Sequence, residues 1–156
     1  MGTTDRFRRP AQHEALLNEL QGKDGPFRTL VDAMMFAAAL GQRKDRSEEF
    51  DKAGEPIRLA LMDGRQYGDV LIDVLAAVRI QDDPKILADD RLDERVRIFE
   101  NFANGGLSYL QGELNTAPTR DLDLLVGNLV MEALTTHQDE HDDEVGAIMS
   151  SADLDW

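Results

Sequence analysis

The sequence predicts a mainly α fold, a single helical domain of about five helices with at most one short strand or hairpin. Apolar residues recur at helical spacing in five segments, whereas the alternation typical of a strand occurs in one short segment. Clusters of Gly, Pro and Asp separate these segments. The chain has 156 residues, 42% of them hydrophobic, which is enough for one domain with one sizeable core.

The first predicted helix spans residues 10–21. Pro10 suits its first turn, where the missing N–H is not needed, and His13 shares one face with three leucines. Residues 22–26 contain two glycines and a proline and are expected to form a turn.

The second predicted helix lies within residues 26–41 and is expected to organise the domain. Thr29 and Asp32 have the spacing of a helix cap, and Gly41 suits the C-terminal end. No charged residue follows Asp32 before Gly41. Since a helix that is apolar all round is buried, we expect this helix to be enclosed on every side.

The middle of the chain contains the only convincing strand pattern. A charged loop over residues 42–56 has Phe50 as its only large apolar residue, and the apolar residues of 57–61 then alternate with Arg58 and Ala60. A lone strand leaves backbone polar groups unpaired. It must therefore pair with the arm around Phe7, with the residues around Phe27 or with a second copy of the chain, unless it is extended outside a sheet.

Three further helices are predicted after this strand. The third covers residues 67–78 with an apolar stripe of Tyr67, Val70, Leu71, Val74, Leu75 and Val78, and a short turn of helix follows at 85–87. Asp89 or Asp90 is expected to cap the fourth, whose apolar seam is Leu92, Val96, Phe99, Ala103, Gly106 and Leu110. Two adjacent glycines cost a helix roughly 2 kcal/mol, so we expect a bend, a break or a close crossing at 105–106. Pro118 is expected to open the fifth helix.

The expected domain comprises residues 1–137, with a basic arm at 1–9. Residues 138–156 are acidic and are expected to form a mobile tail.

The composition is strongly acidic, with a net charge of −14. Twenty Asp and eleven Glu face thirteen Arg and only four Lys, a balance that favours a salt-adapted (halophilic) source. An acidic partner-binding face is the alternative. There is no cysteine, and no apolar run resembles a signal peptide or approaches the length of a membrane span, so we expect a cytoplasmic protein with no membrane contact.

No pattern in the sequence predicts a catalytic site, a cofactor site or a metal site, and we expect no enzyme activity. His137 and His141 could share a helical face and bind a divalent ion, but a solvated acidic tail explains them better. A nucleophile beside His13 would require Ser47 or Ser108, and their spacing does not support it.

Eight of the seventeen cationic residues lie within the first 46 positions, and the seven other than Lys23 lie in the arm and around the second predicted helix. A flexible arginine arm next to a helix N-terminus can hold phosphate groups, so these residues form the predicted DNA-binding site. They are Arg6, Arg8, Arg9, Arg28, Arg43, Lys44 and Arg46.

Four blocks of sequence resemble the DNA phosphorothioation-associated protein 4 family. In order, they read RRPAQHEALLNEL, GPFRTLVDAMMFAAALG, GEPI and DDRLDERVRIFENFANGGLSYLQGEL, and the resemblance covers about residues 6–115. It implies a small protein encoded beside Dnd sulfur-modification and restriction genes, in a prokaryotic defence system that marks its own DNA. It offers no catalytic motif.

The resemblance and the basic residues together predict a non-enzymatic accessory or regulatory component of phosphorothioate-dependent restriction in antiviral defence. The expected partners are DNA, bound through the N-terminal basic face, and Dnd-type restriction proteins, with a homodimer also open. Two alternatives remain, a protein-only adaptor of the restriction complex and a transcriptional regulator of the defence genes.

Overall fold

A computed structural model describes residues 4–65 and 67–136 and confirms the mainly α fold. The chain divides into two compact units, Met1–Arg120 and Asp121–Trp156. The first contains a two-stranded antiparallel ribbon, and five helices lie within the described residues. The elements are β1 (Arg6–Phe7), α1 (Glu14–Leu20), α2 (Leu30–Arg43), β2 (Ile57–Arg58), α3 (Gly68–Arg79), α4 (Leu92–Thr116) and α5 (122–136). None of the described helices is long and apolar enough to cross a membrane.

The predicted helix at residues 10–21 is confirmed. It opens with a single turn of 3₁₀-helix, Ala11–His13, and continues directly as α1. Leu16, Leu17 and Leu20 are buried, as their spacing predicts.

The N-terminus of α2 begins at the predicted cap. The hydroxyl oxygen of Thr29 accepts a hydrogen bond from the N–H of Asp32 (3.2 Å). The same hydroxyl donates to the carboxylate of Asp32 (3.0 Å), so the two side chains hold each other in place.

The prediction that α2 is enclosed on every side is wrong. Met34 is fully buried, but Met35 and Phe36 are only partly buried and Ala39 is exposed. The small alanine side chains contribute apolar character to the sequence without requiring burial.

The contact between α2 and α4 is the most extensive one among the described helices, and the two backbones approach closely. A side chain at Gly106 would collide with the carbonyl of Ala37, and one at Gly41 would collide with the carbonyl of Phe102. Gly105 faces the carbonyl of Arg46, in the loop after α2. The glycine pair therefore makes a close crossing within a continuous helix, one of the three predicted outcomes.

Helix α4 contributes more buried residues than any other element in the described part of the chain. Val96, Phe99, Ala103, Gly106 and Leu110 of the predicted seam are buried, and Leu92 is partly buried. The polar residues Arg95, Glu100 and Asn104 are buried as well. The predicted cap is wrong: Asp89 and Asp90 lie in a 3₁₀ turn, and the helix starts after Arg91 without a side-chain cap.

The predicted strand pairs with the N-terminal arm, but it is shorter than expected. Phe7 lies opposite Ile57 in the ribbon, and Leu59–Met62 forms a 3₁₀ turn. The ladder ends because the N–H of Arg8 donates to the carboxylate of Glu100 (2.6 Å) instead of to a strand. The buried ring of Phe7 packs edge-on against Phe99, with ring centroids 5.3 Å apart, so the arm is fixed to α4.

Helix α3 covers the predicted third helix but buries a different face. Ile72, Leu75 and Ala76 are buried, whereas Tyr67, Val70, Val74 and Val78 of the predicted stripe are exposed. The helix therefore has a second apolar face that remains exposed. The predicted turn of helix at 85–87 is confirmed by the 3₁₀ turn Pro84–Leu87.

Helix α5 starts at residue 122, later than the predicted opening at Pro118. The side chain of Asp121 caps it by accepting from the N–H of Leu124 (3.1 Å). Its least exposed residues recur at helical spacing and form one face: Leu122, Leu125, Val126, Leu129 and Ala133. The expected mobile tail, residues 138–156, lies outside the described residues, and the boundary at 137 stays a prediction.

The close crossing gives a test with a matched control inside one helix. Gly106→Ala places a methyl group against the Ala37 carbonyl, and we expect it to lower the free energy of unfolding by about 2 kcal/mol or more. Gly112 is exposed on the same helix with nothing near its Cβ position, so Gly112→Ala should raise it by about 0.5–1 kcal/mol. Urea unfolding followed by circular dichroism measures both, and equal stability of the two variants would contradict the crossing.

Candidate functional site

The seven predicted DNA-binding cations do not form one surface. Arg28 lies just before the N-terminus of α2, whereas Arg43, Lys44 and Arg46 lie at its C-terminal end. A helix of 14 residues separates these two groups by about 20 Å. A single phosphate-binding site can therefore include the first group or the second, but not both.

Arg8 belongs to the core structure. Its guanidinium forms an ion pair with Glu100 (3.0 Å), whose side chain is only 4% exposed, and lies over the ring of Phe50 at 4.5 Å. Because a buried carboxylate needs a partner, Arg8 is committed to Glu100. The arm around it is a paired strand and not the flexible segment that the sequence predicted.

The remaining arginines of the N-terminal region converge on one groove. This arginine groove has a volume of about 550 Å³ and lies at the N-terminus of α2, where Thr29, Leu30 and Val31 form part of its wall. Residues of β2 and of the turn after it form another part. Five arginines line it: Arg6, Arg9, Arg28, Arg58 and Arg65.

Two of these arginines are held in place by carboxylates. Arg9 pairs with Glu14 (2.9 Å), and Arg65 pairs with Asp32 (2.9 Å). Arg65 also donates a hydrogen bond to the hydroxyl of Thr29 (3.3 Å), which ties it to the cap of α2.

The other three, Arg6, Arg28 and Arg58, have no ion-pair or hydrogen-bond partner for their guanidinium groups within the described residues. All three are exposed. Glu55 is the one carboxylate in the lining, and Glu14 and Asp32 pair with lining arginines from outside it. The five guanidinium groups therefore outnumber the three carboxylates, and the net charge of the groove is positive. The N-terminus of α2 adds its partial positive charge. In a chain of net charge −14, this groove is suited to an anion.

The sequence prediction missed Arg58 and Arg65. Arg58 is the polar residue in the strand alternation and stands opposite Arg6 in the ribbon, which brings two cations together. Knowing that the strand pairs with the arm would have revealed this juxtaposition. Arg65 follows the 3₁₀ turn, and no local pattern points to its contact with Asp32.

Two members of the second group of predicted cations have local partners. Arg46 pairs with Glu48 (3.4 Å), and the ammonium of Lys44 lies 5.1 Å from the ring centre of Tyr109. Arg43 is exposed in the last turn of α2, where a cation favours the helix dipole.

His13 lies beside Ser108, a neighbour that the sequence did not predict. The distance from Nε2 of His13 to the hydroxyl oxygen of Ser108 is 3.1 Å, and that hydroxyl donates to Glu48 (2.9 Å). Burial lowers the pKa of His13, and the nearby charge of Glu48 opposes this shift. In a nucleophile site the histidine accepts the serine proton and the acid orients the histidine, whereas here the acid contacts the serine directly. The arrangement joins α4 to the loop and to the turn before α1.

Asp83, which lies between α3 and α4, has a structural role. Asp83 caps the turn Pro84–Leu87 and pairs with Arg91 (2.8 Å), whose hydrogen bond lowers the pKa of that carboxyl. Within residues 4–65 and 67–136 no group of three potential ligands is placed to hold a metal ion. His137 and His141 lie outside the described residues.

Comparison with known proteins identifies a family. A family model described as DNA sulphur modification system-associated protein 4 matches residues 6–147, a span that includes all five arginines of the groove. No curated protein and no solved structure matches the chain.

The separate roles of Arg8 and Arg6 can be tested by stability. Arg8→Ala leaves the buried carboxylate of Glu100 without its main cation and should lower the free energy of unfolding by about 3 kcal/mol. Arg6→Ala removes an exposed, unpaired side chain and should change it by about 0.5 kcal/mol or less. Chemical denaturation of the two variants provides the comparison, and a stable Arg8→Ala protein would show that Arg8 is not a core residue.

Proposed function

Because the chain belongs to the DNA sulphur modification system-associated protein 4 family, we propose that it is a non-enzymatic accessory component of the restriction side of such a system. In this proposal it contacts DNA through the arginine groove. The family name carries the association with DNA sulphur modification, and the groove supports the contact with DNA.

The single observation that carries the DNA proposal is the group of three unpaired arginines in an otherwise acidic chain. Arg6, Arg28 and Arg58 line one concavity, and their guanidinium groups have no ion-pair or hydrogen-bond partner among the described residues. Guanidinium groups bind phosphate oxygens in pairs of parallel hydrogen bonds, which suits them to a DNA backbone. The acidic remainder of the surface repels DNA, so contact is restricted to this part of the protein.

The contact proposed here differs from the arm-based one that the sequence predicts. Arg8 is excluded by its pair with Glu100, and the cations at the C-terminal end of α2 lie too far away. Arg58 and Arg65 take their place. A variant that removes Arg6, Arg8 and Arg9 together would lose core contacts, so it cannot separate DNA binding from folding.

A second candidate function, a protein-only adaptor that binds a Dnd-type restriction protein, is favoured by the exposed face of α3. Tyr67 is 69% exposed and Val74 is 52% exposed, and apolar helix faces of this kind serve as protein contacts. In this case replacing Val74 with a charged residue would prevent co-purification of the restriction proteins after nuclease treatment, while the groove variants would not.

The DNA proposal is tested by removing two unpaired arginines. In the double variant Arg28→Ala/Arg58→Ala, two phosphate contacts are lost, so the affinity for labelled duplex DNA should fall about tenfold or more. The slope of log K against log salt concentration should become shallower by about 2, since each phosphate contact releases about one counterion. Fluorescence anisotropy over a salt series measures both quantities.

The matched control is Arg43→Ala, which removes an exposed arginine of the same helix outside the groove. It should leave both the affinity and the slope almost unchanged. Equal binding by the double variant and the parent protein would overturn the assignment of the groove.

A further inference from the structure

The shape of the arginine groove restricts the kind of anion that fits it. Its volume of about 550 Å³ lies in the range of pockets that take small organic ligands, roughly 300–1,000 Å³. Uninterrupted duplex DNA is a convex rod that presents its phosphates along an outer surface. Such a rod can touch the rim of a concavity but does not fill it, whereas a terminal nucleotide can enter.

The donors in the groove outnumber the acceptors of one backbone phosphate. A diester linkage carries one negative charge and two free oxygens, whereas a terminal phosphate carries nearly two charges and three free oxygens. The unpaired arginines Arg6, Arg28 and Arg58 all line the groove, and the main-chain N–H groups of Leu30 and Val31 have no acceptor within the described residues. This set matches the phosphate with more charge and more oxygens.

The rest of the lining fits the organic part of a nucleotide. Apolar side chains stand beside the arginines, which gives a sugar or a base a surface to lie against. Those that are exposed or partly exposed are Leu30, Pro56 and Leu61, whereas Val31 and Ile57 are buried. The two carboxylate-bound arginines, Arg9 and Arg65, are fixed in position before any ligand binds. The groove thus offers cationic and apolar side chains within one concavity.

We infer that the arginine groove binds a terminal phosphate monoester carried by a nucleoside, and that the end of a DNA strand supplies it. This inference rests on the proposed function and specifies which part of DNA the same site takes. A free nucleotide has the same chemistry, so the experiment must separate the two sources.

The test compares short labelled single strands that differ only at their ends. One set carries a phosphate at the 5′ or 3′ end, a second has hydroxyls at both ends, and a third is circular. The parent protein should bind at least one phosphorylated strand about tenfold more tightly than the hydroxyl strand, the effect expected from one additional charge-assisted contact. Arg28→Ala/Arg58→Ala should abolish this preference, and Arg43→Ala should keep it.

The outcomes distinguish the inference from the function beneath it. Equal affinity for phosphorylated, hydroxyl and circular strands, lost in the double variant, would overturn the terminal-phosphate inference and leave DNA binding by the groove intact. Displacement of the phosphorylated strand by an equal concentration of nucleoside monophosphate would overturn the strand end as the source. Failure of every strand and of the labelled duplex to bind would overturn the proposed function itself. Unchanged circular dichroism spectra of both variants ensure that a loss of binding is not a loss of folding.

Discussion

The close contact of the α2 and α4 backbones is the constraint on which the rest of the structure depends. Glycines at 41, 105 and 106 remove the side chains that would hold these backbones apart. The backbone of α2 packs against Gly106, and the loop that follows α2 packs against Gly105. That loop is then fixed to α4 because the N–H of Glu48 donates to the carbonyl of Asn101 (2.9 Å) and the side chain of Asn104 donates to the carbonyl of Glu48 (3.0 Å). The loop leads into β2, whose position at the N-terminus of α2 creates the arginine groove.

Buried polar groups divide the cations into two classes. The carboxylate of Glu100 on α4 is buried, and its ion pair with Arg8 offsets the free-energy cost of removing it from water. Arg95, also buried, donates to the carbonyls of Ile86 (2.8 Å) and Ala88 (2.7 Å). Arginines that complete buried networks of this kind maintain the fold. Only those left without partners, such as Arg28, remain available for a ligand, and this division explains why counting cations along the sequence does not locate a site.

The sequence predicted the features that depend on local chemistry. The Thr29 cap, the seam of α4 and the burial of Leu16 and Leu17 all follow from the spacing of residues within one helix. Features that depend on distant partners were not predictable. The seam did not reveal that α4 is buried nearly all round, because a pattern reading treats Glu100 and Asn104 as exposed. The buried face of α3 was predicted wrongly because both faces of this helix are apolar. The predicted DNA-binding site lacked Arg58 because Arg58 comes next to Arg6 only through strand pairing.

Hydrogen–deuterium exchange with and without DNA measures most directly whether anions bind at the N-terminus of α2 and not along its length. Peptides that cover residues 28–31 and 57–58 should exchange more slowly on DNA addition, with no change over residues 43–46. Slower exchange confined to residues 43–46 or to α3, with the groove peptides unchanged, would contradict binding in the groove.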